Sequence, residues 1–377
     1  MVNIAYFSNQ FASAAGHGVA HYAHRLYEGL IQSEDFKVIP VATGCDRSVE
    51  DRQSLVGQTG LRILPGGRKL TPLAWLLLNS PTIESLMGER VDITHIVSLG
   101  FPVATRKKLV VTVHDIGPLT HPKYFSNSKP RLFKRSFDHM IRYADAIVCV
   151  SQATADAVVD YAGASVSKRI RTVHEGVDAA FFSEEPIDPY LSIPQMPARG
   201  VPFFMAAGAM SPRKNIERVL EAFSKVKDSI PHNLVLVGGQ GWDSKEVVQM
   251  LIDPALARRV YQLGYVSDKL LQSLYKYADF YIHVSLFEGF GLTVLEAMAA
   301  GCPVITSKVS SLPEVAGDAA KLVEPASVLD IANAIETLAI ASDFRQELVR
   351  RGLKQVQSFR WEETAKGVAA VYRELSS

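Results

Sequence analysis

The sequence has little cysteine, no long uninterrupted apolar segment and no excess of charge of either sign. Its 377 residues include three cysteines, and 40 Lys and Arg against 39 Asp and Glu leave a formal net charge of +1. The cysteines lie far apart without metal-ligand spacing, which disfavours a disulfide scaffold or zinc module and favours a reducing compartment. The balanced charge gives no general attraction to nucleic acid, so no such partner is predicted.

The most apolar window, residues 70–87, is interrupted by Pro72, Asn79, Pro81 and Glu84. It is therefore too short and too polar to cross a bilayer. The opening segment MVNIAYFSNQF lacks the basic region and the apolar run of a signal peptide. These features together predict a cytoplasmic protein that is at most peripheral on the inner face of the membrane.

Short apolar runs alternate with helical patterns along two stretches of the chain. Strand patterns in the first stretch lie at 3–9, 37–43, 92–98, 109–115 and 146–151. Strand patterns in the second stretch lie at 203–209, 233–239, 260–266, 280–285 and 303–307. Such alternation predicts βαβ units and parallel sheets, whose ligands bind at the carboxyl ends of the strands.

A segment with five prolines, residues 183–202, separates the two stretches and is predicted to be a linker. The sequence therefore predicts an α/β protein with two Rossmann-like, doubly wound domains facing a cleft. The first domain is predicted to span 1–185 and the second 186–358. A final helix pattern within 359–377 is predicted to pack back on the first domain.

The stretch 286–306, LFEGFGLTVLEAMAAGCPVIT, places a glycine-rich turn between an apolar strand and a helix pattern. A turn at this position presents free backbone N–H groups and the positive end of the helix dipole to the region beyond the strand. Such a geometry binds phosphate. The N–H groups predicted to do so are those of Gly291, Leu292 and Thr293.

Two carboxylates, Glu288 and Glu296, flank this turn. Glu288 follows an apolar strand, where a lone carboxylate is costly unless it is solvated or hydrogen-bonded. Because a carboxylate repels phosphate, Glu288 is better placed to bind neutral hydroxyls of a sugar or ribose. Two interpretations of Glu296 stay open on the residues alone, namely a ligand contact and a capping box with Thr293.

The motif FEGFGLTVLEAMAAGCPVI resembles the signature of retaining glycosyltransferases of family 4, which have the GT-B fold. Two glutamates separated by seven residues and a Gly-Phe-Gly turn carry the resemblance. It implies that Glu288 lies beside the donor sugar, that Glu296 binds the nucleotide ribose, and that Phe290 belongs to the donor-binding turn. It also implies an acceptor-binding first domain and a donor-binding second domain.

Two adjacent cations, Arg213 and Lys214, follow the first strand pattern of the second stretch and Gly208. Paired cations before a helix can neutralise a diphosphate through charge-assisted hydrogen bonds, although a solvated basic turn is the commoner reason for such a pair. The segment resembles the family element G-x-x-x-x-R-K-N. The resemblance implies that Arg213 and Lys214 contact the donor diphosphate.

A glycine-containing loop at Gly16 and Gly18 follows the first strand of the first stretch. The dinucleotide fingerprint G-x-G-x-x-G fails because residue 21 is His, which disfavours a dehydrogenase. The family often has Gly-Gly-Ile-Gly at this point. The resemblance therefore implies backbone contacts to the diphosphate from Gly16, Gly18 and Val19, although this sequence departs from the usual pattern.

Three further positions are assigned by the resemblance. His114, in the HD element at the end of a strand, is implied to contact the donor sugar, whereas on the residue alone it could equally bond to backbone. Val266 is implied to contact the nucleotide base through its backbone. Glu175 stands where the family usually has Asn in an N-G-V-D turn, which changes what this turn can hydrogen-bond.

The resemblance implies transfer of a hexose from a nucleotide diphosphate sugar to an acceptor hydroxyl with retention of configuration. The residues predicted to be catalytic are His114, Glu288, Arg213 and Lys214. The cations would stabilise the leaving diphosphate. Because the chain contains no Asp-x-Asp, we predict no metal site, no divalent metal requirement and no cofactor.

The elements HDIGPL…HP and SPRKN resemble those of bacterial polysaccharide mannosyl- and rhamnosyltransferases. This resemblance implies GDP-mannose as the donor and, as the acceptor, a glycan or lipid-linked hydroxyl in lipopolysaccharide or other cell-surface polysaccharide synthesis. A UDP-sugar is the alternative donor. The alternatives of another class are a GT-B phosphorylase or epimerase, and a non-catalytic protein that binds nucleotide sugars.

A basic amphipathic pattern covers residues 129–143, KPRLFKRSFDHMIRY. Such a helix can rest on anionic lipid. The alternative is an ordinary surface helix whose apolar face packs on the sheet. Both interpretations stay open on the sequence, and the first predicts contact with an anionic membrane.

Overall fold

The computed structural model describes residues 1–12, 18–44, 60–99, 102–125, 130–182, 185–239 and 245–377. Two residues with predicted roles, Gly16 and Lys129, lie outside the described residues. The chain folds as two units. The first comprises Met1–Thr120, Asn127–Gly176 and Trp361–Ser377, and the second comprises His121–Ser126 and Val177–Arg360.

The first unit contains a seven-stranded parallel sheet with the order β3-β2-β1-β4-β5-β6-β7. Its strands are β1 Val2–Phe7, β2 Phe36–Ala42, β3 Arg62–Ile63, β4 Ile93–Ile96, β5 Lys108–Val113, β6 Ala146–Cys149 and β7 Ile170–Thr172. Its helices before the linker are α1 Gly18–Leu30, α2 Gly67–Leu78, α3 Ile83–Met87, α4 Gly117–Thr120, α5 Pro130–Tyr143 and α6 Gln152–Ala162.

The second unit contains a six-stranded parallel sheet with the order β10-β9-β8-β11-β12-β13. Its strands are β8 Phe203–Ala207, β9 Asn233–Val237, β10 Val260–Gly264, β11 Phe280–His283, β12 Val304–Ser307 and β13 Ala320–Val323. Its helices are α7 Pro189–Ser192, α8 Ile216–Val226, α9 Lys245–Ile252, α10 Pro254–Ala257, α11 Asp268–Tyr277, α12 Leu292–Ala299, α13 Leu312–Ala316, α14 Val328–Ile340 and α15 Ser342–Gln355.

Both strand orders reverse direction within the sheet, between β1 and β4 in the first unit and between β8 and β11 in the second. This is the doubly wound arrangement, in which ligands bind where the order reverses. Strands β4, β6, β8, β9 and β11 are buried along their whole length, as expected where helices cover both faces of a parallel sheet. The predicted α/β architecture of two Rossmann-like domains is confirmed.

The last helix, α16 (Trp361–Ser376), belongs to the first unit and packs on α1. Tyr372 joins it to the sheet, because the Tyr372 hydroxyl lies 2.6 Å from Nδ1 of the buried His95 in β4. The main change of unit comes after Gly176, whereas the sequence placed it after residue 185. The physical reason is that Phe181 packs on Tyr275 of the second unit.

Candidate active site

Most of the predicted donor-binding residues of the second unit follow β8 and β11, the two strands between which the strand order reverses. Arg213 and Lys214 lie in a short 3-10 turn, Pro212–Lys214, that follows β8. Glu288 lies in the turn that follows β11, the neighbour of β8 in the sheet. The backbone N–H of Leu286 donates to the Arg213 carbonyl over 2.9 Å and joins the two turns. Parallel strands thus bring together residues that are 74 and 75 positions apart in the chain.

The centre of this site is an ion cluster of Arg213, Lys214 and Glu288. Lys214 Nζ donates to Glu288 Oε1 over 2.7 Å, and Arg213 Nη1 donates to Oε2 of the same carboxylate. Arg213 also donates to the Phe287 carbonyl over 3.0 Å. The Glu288 side chain is only 10% exposed. Two cations and one anion give the cluster a formal net charge of +1.

Neutral polar groups complete the surroundings of Glu288. Its Oε1 accepts a hydrogen bond from Ser285 Oγ over 2.8 Å and lies 3.1 Å from His283 Nε2. Its backbone carbonyl accepts from the hydroxyls of Ser310 and Ser311. The carboxylate is therefore buried but well hydrogen-bonded, which is the condition under which a buried charge is tolerated.

The protonation states follow from burial and these charges. Burial opposes ionisation of Glu288, but the charges of Lys214 and Arg213 outweigh it and hold the pKa of the carboxyl well below its ordinary value. Burial lowers the pKa of Lys214, with Glu288 opposing that shift. Burial and then the Lys214 charge lower the pKa of His283 to about 4. His283 is consequently neutral at pH 7.

The glycine turn after Glu288 ends at Gly291, which caps α12 with φ of +121°. Any residue with a Cβ would be strained at this φ, and its Cβ would also lie 2.9 Å from Leu312 Cδ2, so the turn favours glycine. Leu292 and Thr293 are the first two residues of α12, and their N–H groups stand at the start of an eight-residue helix. The predicted phosphate-binding geometry is present, while phosphate binding itself stays a prediction.

The capping-box interpretation of Glu296 is wrong in one respect, because Thr293 does not cap α12. The N-cap residue is Gly291, so no side-chain hydrogen bond caps the helix. Thr293 Oγ1 instead lies 3.3 Å from His283 Nδ1. Glu296 is half-buried on the same helix. Burial raises the pKa of Tyr275, and the Glu296 charge adds to that shift. The predicted ribose contact of Glu296 stays a prediction.

The absence of a side chain at Gly208 leaves room for the Lys214 side chain to reach Glu288. The φ of Gly208 is +133°, and a Cβ there would lie 3.2 Å from Lys214 Cε. Gly238, after β9, was not predicted as a site residue, yet a Cβ there would meet the Gly208 carbonyl oxygen at 2.0 Å. The signal was the Gly-Gly pair after a strand pattern, which marks close approach of backbones.

Asn215 locks the basic turn onto the neighbouring loops. It is buried in the left-handed conformation with φ of 60°. Its amide nitrogen donates to the Val284 carbonyl over 3.0 Å and to the Pro325 carbonyl over 2.8 Å. No separate role was predicted for Asn215, and its part in fixing the position of Arg213 and Lys214 was missed.

Val266, the predicted base contact, lies two residues beyond the edge strand β10. It is half-buried. Because β9 separates β10 from β8, Val266 follows a strand that is not adjacent to either strand of the ion cluster. Its contact with the base stays a prediction.

In the first unit, His114 follows β5, and both of its ring nitrogens face acceptors. Nε2 lies 2.9 Å from the Val97 carbonyl oxygen, and Nδ1 lies 3.2 Å from Glu175 Oε1. The Tyr22 ring packs edge-on against the imidazole at 4.7 Å. The pairing with Glu175 was not predicted, although the replacement of the usual Asn signalled a change at that turn.

Gly18 and Val19 are the first two residues of α1, a 13-residue helix that follows β1. A Cβ at Gly18 would meet nothing within 4 Å, so the described structure does not by itself require glycine there. Gly18 and Val19 present N–H groups at a helix start, which is compatible with their predicted diphosphate contact.

Metal-binding clusters and membrane-spanning helices are both missing from the part of the chain that the structure describes. No group of three His, Cys, Asp or Glu among the described residues could hold a metal ion. No helix within the described ranges is long and apolar enough to cross a membrane. The predicted metal independence stays a prediction.

The two doubly wound sheets and the turns at their carboxyl ends define the GT-B class of glycosyltransferases. The chain belongs to the glycosyltransferases, since the model of Glycosyltransferase Family 4 matches residues 16–181 and that of Glycosyl transferases group 1 matches residues 195–355. The recognition made from the Glu288–Glu296 motif is thereby confirmed, and the protein is a glycosyltransferase.

Two curated relatives and one solved structure illustrate the similarity. O-antigen chain mannosyltransferase B of Escherichia coli is 30% identical over 273 residues, which cover 71% of each chain. Serotype-specific mannosyltransferase WbdA of Escherichia coli is 29% identical over 267 residues, which cover 68% of this chain but 32% of WbdA. The crystal structure of Anabaena HepE in complex with UDP and glucose has a TM-score of 0.77 at 18% identity, covering 99% of this chain and 100% of HepE.

Proposed function

We propose that the protein transfers mannose from GDP-mannose to a hydroxyl of a glycan or lipid-linked acceptor in the synthesis of a cell-surface polysaccharide. The similarity to O-antigen chain mannosyltransferase B supports the sugar and the pathway class. A UDP-sugar is the alternative donor. The observation that carries the proposal is the buried cluster of Arg213, Lys214 and Glu288 at the reversal of the second sheet.

The cluster suits a diphosphate leaving group. Negative charge grows on the diphosphate as the bond to the sugar breaks, and preorganised cations stabilise that charge most where water is excluded. Lys214 is 14% exposed and Arg213 24% exposed, so both cations are partly withdrawn from water. With the N–H groups at the start of α12 they would supply positive charge to the diphosphate without a metal ion. We therefore propose a metal-independent reaction.

Glu288 is not proposed as a nucleophile. Its carboxylate is already bound by two cations and a hydroxyl, which lowers its reactivity. A glycosidase-like pair would need a second carboxylate across the scissile bond. We propose instead that Glu288 holds the cations in place and binds sugar hydroxyls. Retention would arise from front-face attack, with the leaving phosphate accepting the acceptor proton.

A thermal-shift panel with GDP, UDP and ADP tests the donor. A nucleotide present at 100 times its dissociation constant stabilises the folded state by about 2.7 kcal/mol. We expect the largest shift with GDP and loss of that shift in Lys214→Ala. Arg350→Ala is the matched control, because Arg350 is exposed and pairs with Glu347 on the same helix. Equal shifts in Lys214→Ala and wild type would contradict the proposed site.

Product analysis separates the classes of reaction. Incubation of GDP-mannose with protein and lipid-linked glycan should release GDP and lengthen the glycan, both with and without EDTA. An epimerised sugar nucleotide formed without acceptor would indicate an epimerase, and phosphate-dependent release of a sugar phosphate would indicate a phosphorylase. Binding of the donor without turnover in any of these assays would indicate a non-catalytic protein.

We also propose contact with an anionic membrane through the first unit. The apolar face of α5 already packs on the core, since Phe137 and Met140 are buried there. Its polar face, with Arg131 and Arg135, is exposed. An apolar contact is available on α2, where Leu70 and Leu78 are 69% and 74% exposed. Both helices pack on the same hydrophobic core.

Vesicle binding can distinguish the contribution of the basic face of α5 from that of the exposed leucines of α2. We expect sedimentation with vesicles that contain phosphatidylglycerol and little with phosphatidylcholine alone, since basic segments add about 1 kcal/mol per cation at an anionic surface. Arg131→Glu with Arg135→Glu should weaken binding most at low salt, whereas Leu70→Ser with Leu78→Ser should weaken it at all salt concentrations. No sedimentation of the wild type at low salt would contradict the membrane proposal.

A further inference from the structure

Glu175 is a buried carboxylate in the first unit, and its side chain is 8% exposed. It follows β7 at the position where the family usually has Asn. Its Oε1 lies 3.2 Å from Nδ1 of His114, on the strand-end turn after β5. A carboxylate this deeply buried needs a cationic or hydrogen-bonding partner. His114 is the partner that the described structure shows.

The partners of the imidazole fix where its protons are. The Val97 carbonyl can only accept a hydrogen bond, so the nitrogen 2.9 Å away, Nε2, carries a proton. An ionised carboxylate can also only accept, so Nδ1 carries a proton as well whenever Glu175 is ionised. An asparagine at residue 175 could instead donate its amide proton to a bare Nδ1. The replacement of Asn by Glu thus favours a doubly protonated ring.

The buried titratable groups around the pair are neutral. Burial lowers the pKa of His95 to about 3, with the His114 charge adding to the shift, so His95 is neutral. Burial raises the pKa of Tyr22 and of Cys149, so both are uncharged at pH 7. The titratable neighbours along the chain are Asp115, whose Oδ1 accepts from the Gly117 N–H, and His174. His95, Tyr22 and Cys149 therefore supply no charge that could pair with Glu175.

We propose that Glu175 is a positioning residue that holds His114 as a net-neutral imidazolium–carboxylate pair with its ring fixed between Val97 and Glu175. This inference rests on the proposed glycosyl transfer and on the contact with the donor sugar that the family resemblance implies for His114. Since both ring nitrogens already have partners, the ring cannot rotate without losing one of them. The pair thus fixes the orientation of the ring before the donor arrives.

Nitrogen-15 NMR of histidine-labelled protein tests the proton count directly. The chain has ten histidines, and the His114 signals are identified as those absent from His114→Gln. At pH 7 we expect both His114 nitrogens of the wild type to carry protons. A bare Nδ1 in the wild type would overturn the proposal, and this outcome requires no variant of Glu175 to fold.

Kinetics test the consequence for the reaction. In Glu175→Gln the amide can donate, so we expect one bare ring nitrogen, a changed pH profile and a fall in kcat of up to about a hundredfold, as misplaced groups produce. Glu175→Asp, which keeps the carboxylate, should restore the doubly protonated ring. Glu89→Gln is the matched control, because Glu89 pairs with Arg62 and Lys37 in the same unit.

The outcomes separate this inference from the function on which it rests. An unchanged ring in Glu175→Gln would overturn the positioning role whatever the activity. A normal kcat in Glu175→Gln with an altered ring would overturn its importance for the reaction. Full activity in His114→Gln would instead refute the proposed contact of His114, while the ring protonation would still stand as measured.

Discussion

Replacing Glu288 by Gln should destabilise the second unit more than any exposed Glu→Gln substitution there. The change removes the negative charge between Lys214 and Arg213 and raises the formal charge of the cluster from +1 to +2. Breaking a buried ion pair costs about 3–5 kcal/mol. Glutamine keeps the shape and can still accept from Ser285, and Arg213 is 24% exposed. We therefore expect the low end, about 3 kcal/mol.

The loss should also depend on pH. Burial already lowers the pKa of Lys214, and Glu288 opposes that shift. Without Glu288 the pKa of Lys214 falls further below its unfolded value of 10.5. A cation whose pKa is depressed in the folded state destabilises the fold as the pH falls below the unfolded pKa. The deficit of Glu288→Gln should therefore shrink when the pH is raised from 7 to about 9.

Differential scanning calorimetry at the two pH values measures this deficit. A loss of about 3 kcal/mol corresponds to a fall in melting temperature of about 6–12 °C for a unit of this size. The matched control is Glu347→Gln, since Glu347 also binds two cations, Arg350 and Arg351, but its side chain is 34% exposed against 10% for Glu288. A deficit equal to that of the control, or one that grows towards pH 9, would refute this account of the cluster.

Three further outcomes are expected. Lowering the pH from 6.5 to 4 should reduce the free energy of unfolding by up to about 3 kcal/mol through His283 alone, because its pKa is about 4 in the folded state against an ordinary 6.5 and the unfolded state takes up the proton first. Urea titrations of His283→Gln should therefore show a smaller dependence of stability on pH, and an unchanged dependence would contradict the lowered pKa of His283. Gly291→Ala should destabilise by about 2 kcal/mol through its positive φ and its contact with Leu312, seen as a lower melting temperature. Asn215→Ala should cost about 2–3 kcal/mol by leaving two carbonyls without their donor, and calorimetry that found no loss would show that solvent replaces the amide.

The strands and the site motif of the second unit were predictable because both depend on local patterns. All ten strand patterns coincide with strands of the two sheets. β13, Ala320–Val323, was missed because it is an edge strand of four residues that is only partly buried and has no alternating pattern. β3 and β7 were missed because two and three residues are too few to form a recognisable pattern.

The pairing of distant side chains was not predictable in the same way. The sequence placed Arg213, Lys214 and Glu288 after strands but could not show that all three meet in one ion cluster. That contact depends on β8 and β11 being neighbours in the sheet. The order of strands in a sheet cannot be inferred from the pattern of residues along the chain. The Glu175–His114 pair depends likewise on the packing of β5, β6 and β7.

The most direct test of the central claim is to measure the affinity of the wild type and of Lys214→Ala for GDP by isothermal titration calorimetry. If the cluster of Arg213, Lys214 and Glu288 binds the donor diphosphate, the wild type binds GDP and loses affinity as salt is added. Lys214→Ala should then bind at least tenfold more weakly, a difference of about 1.4 kcal/mol. Equal affinities of the two proteins for GDP would contradict the claim.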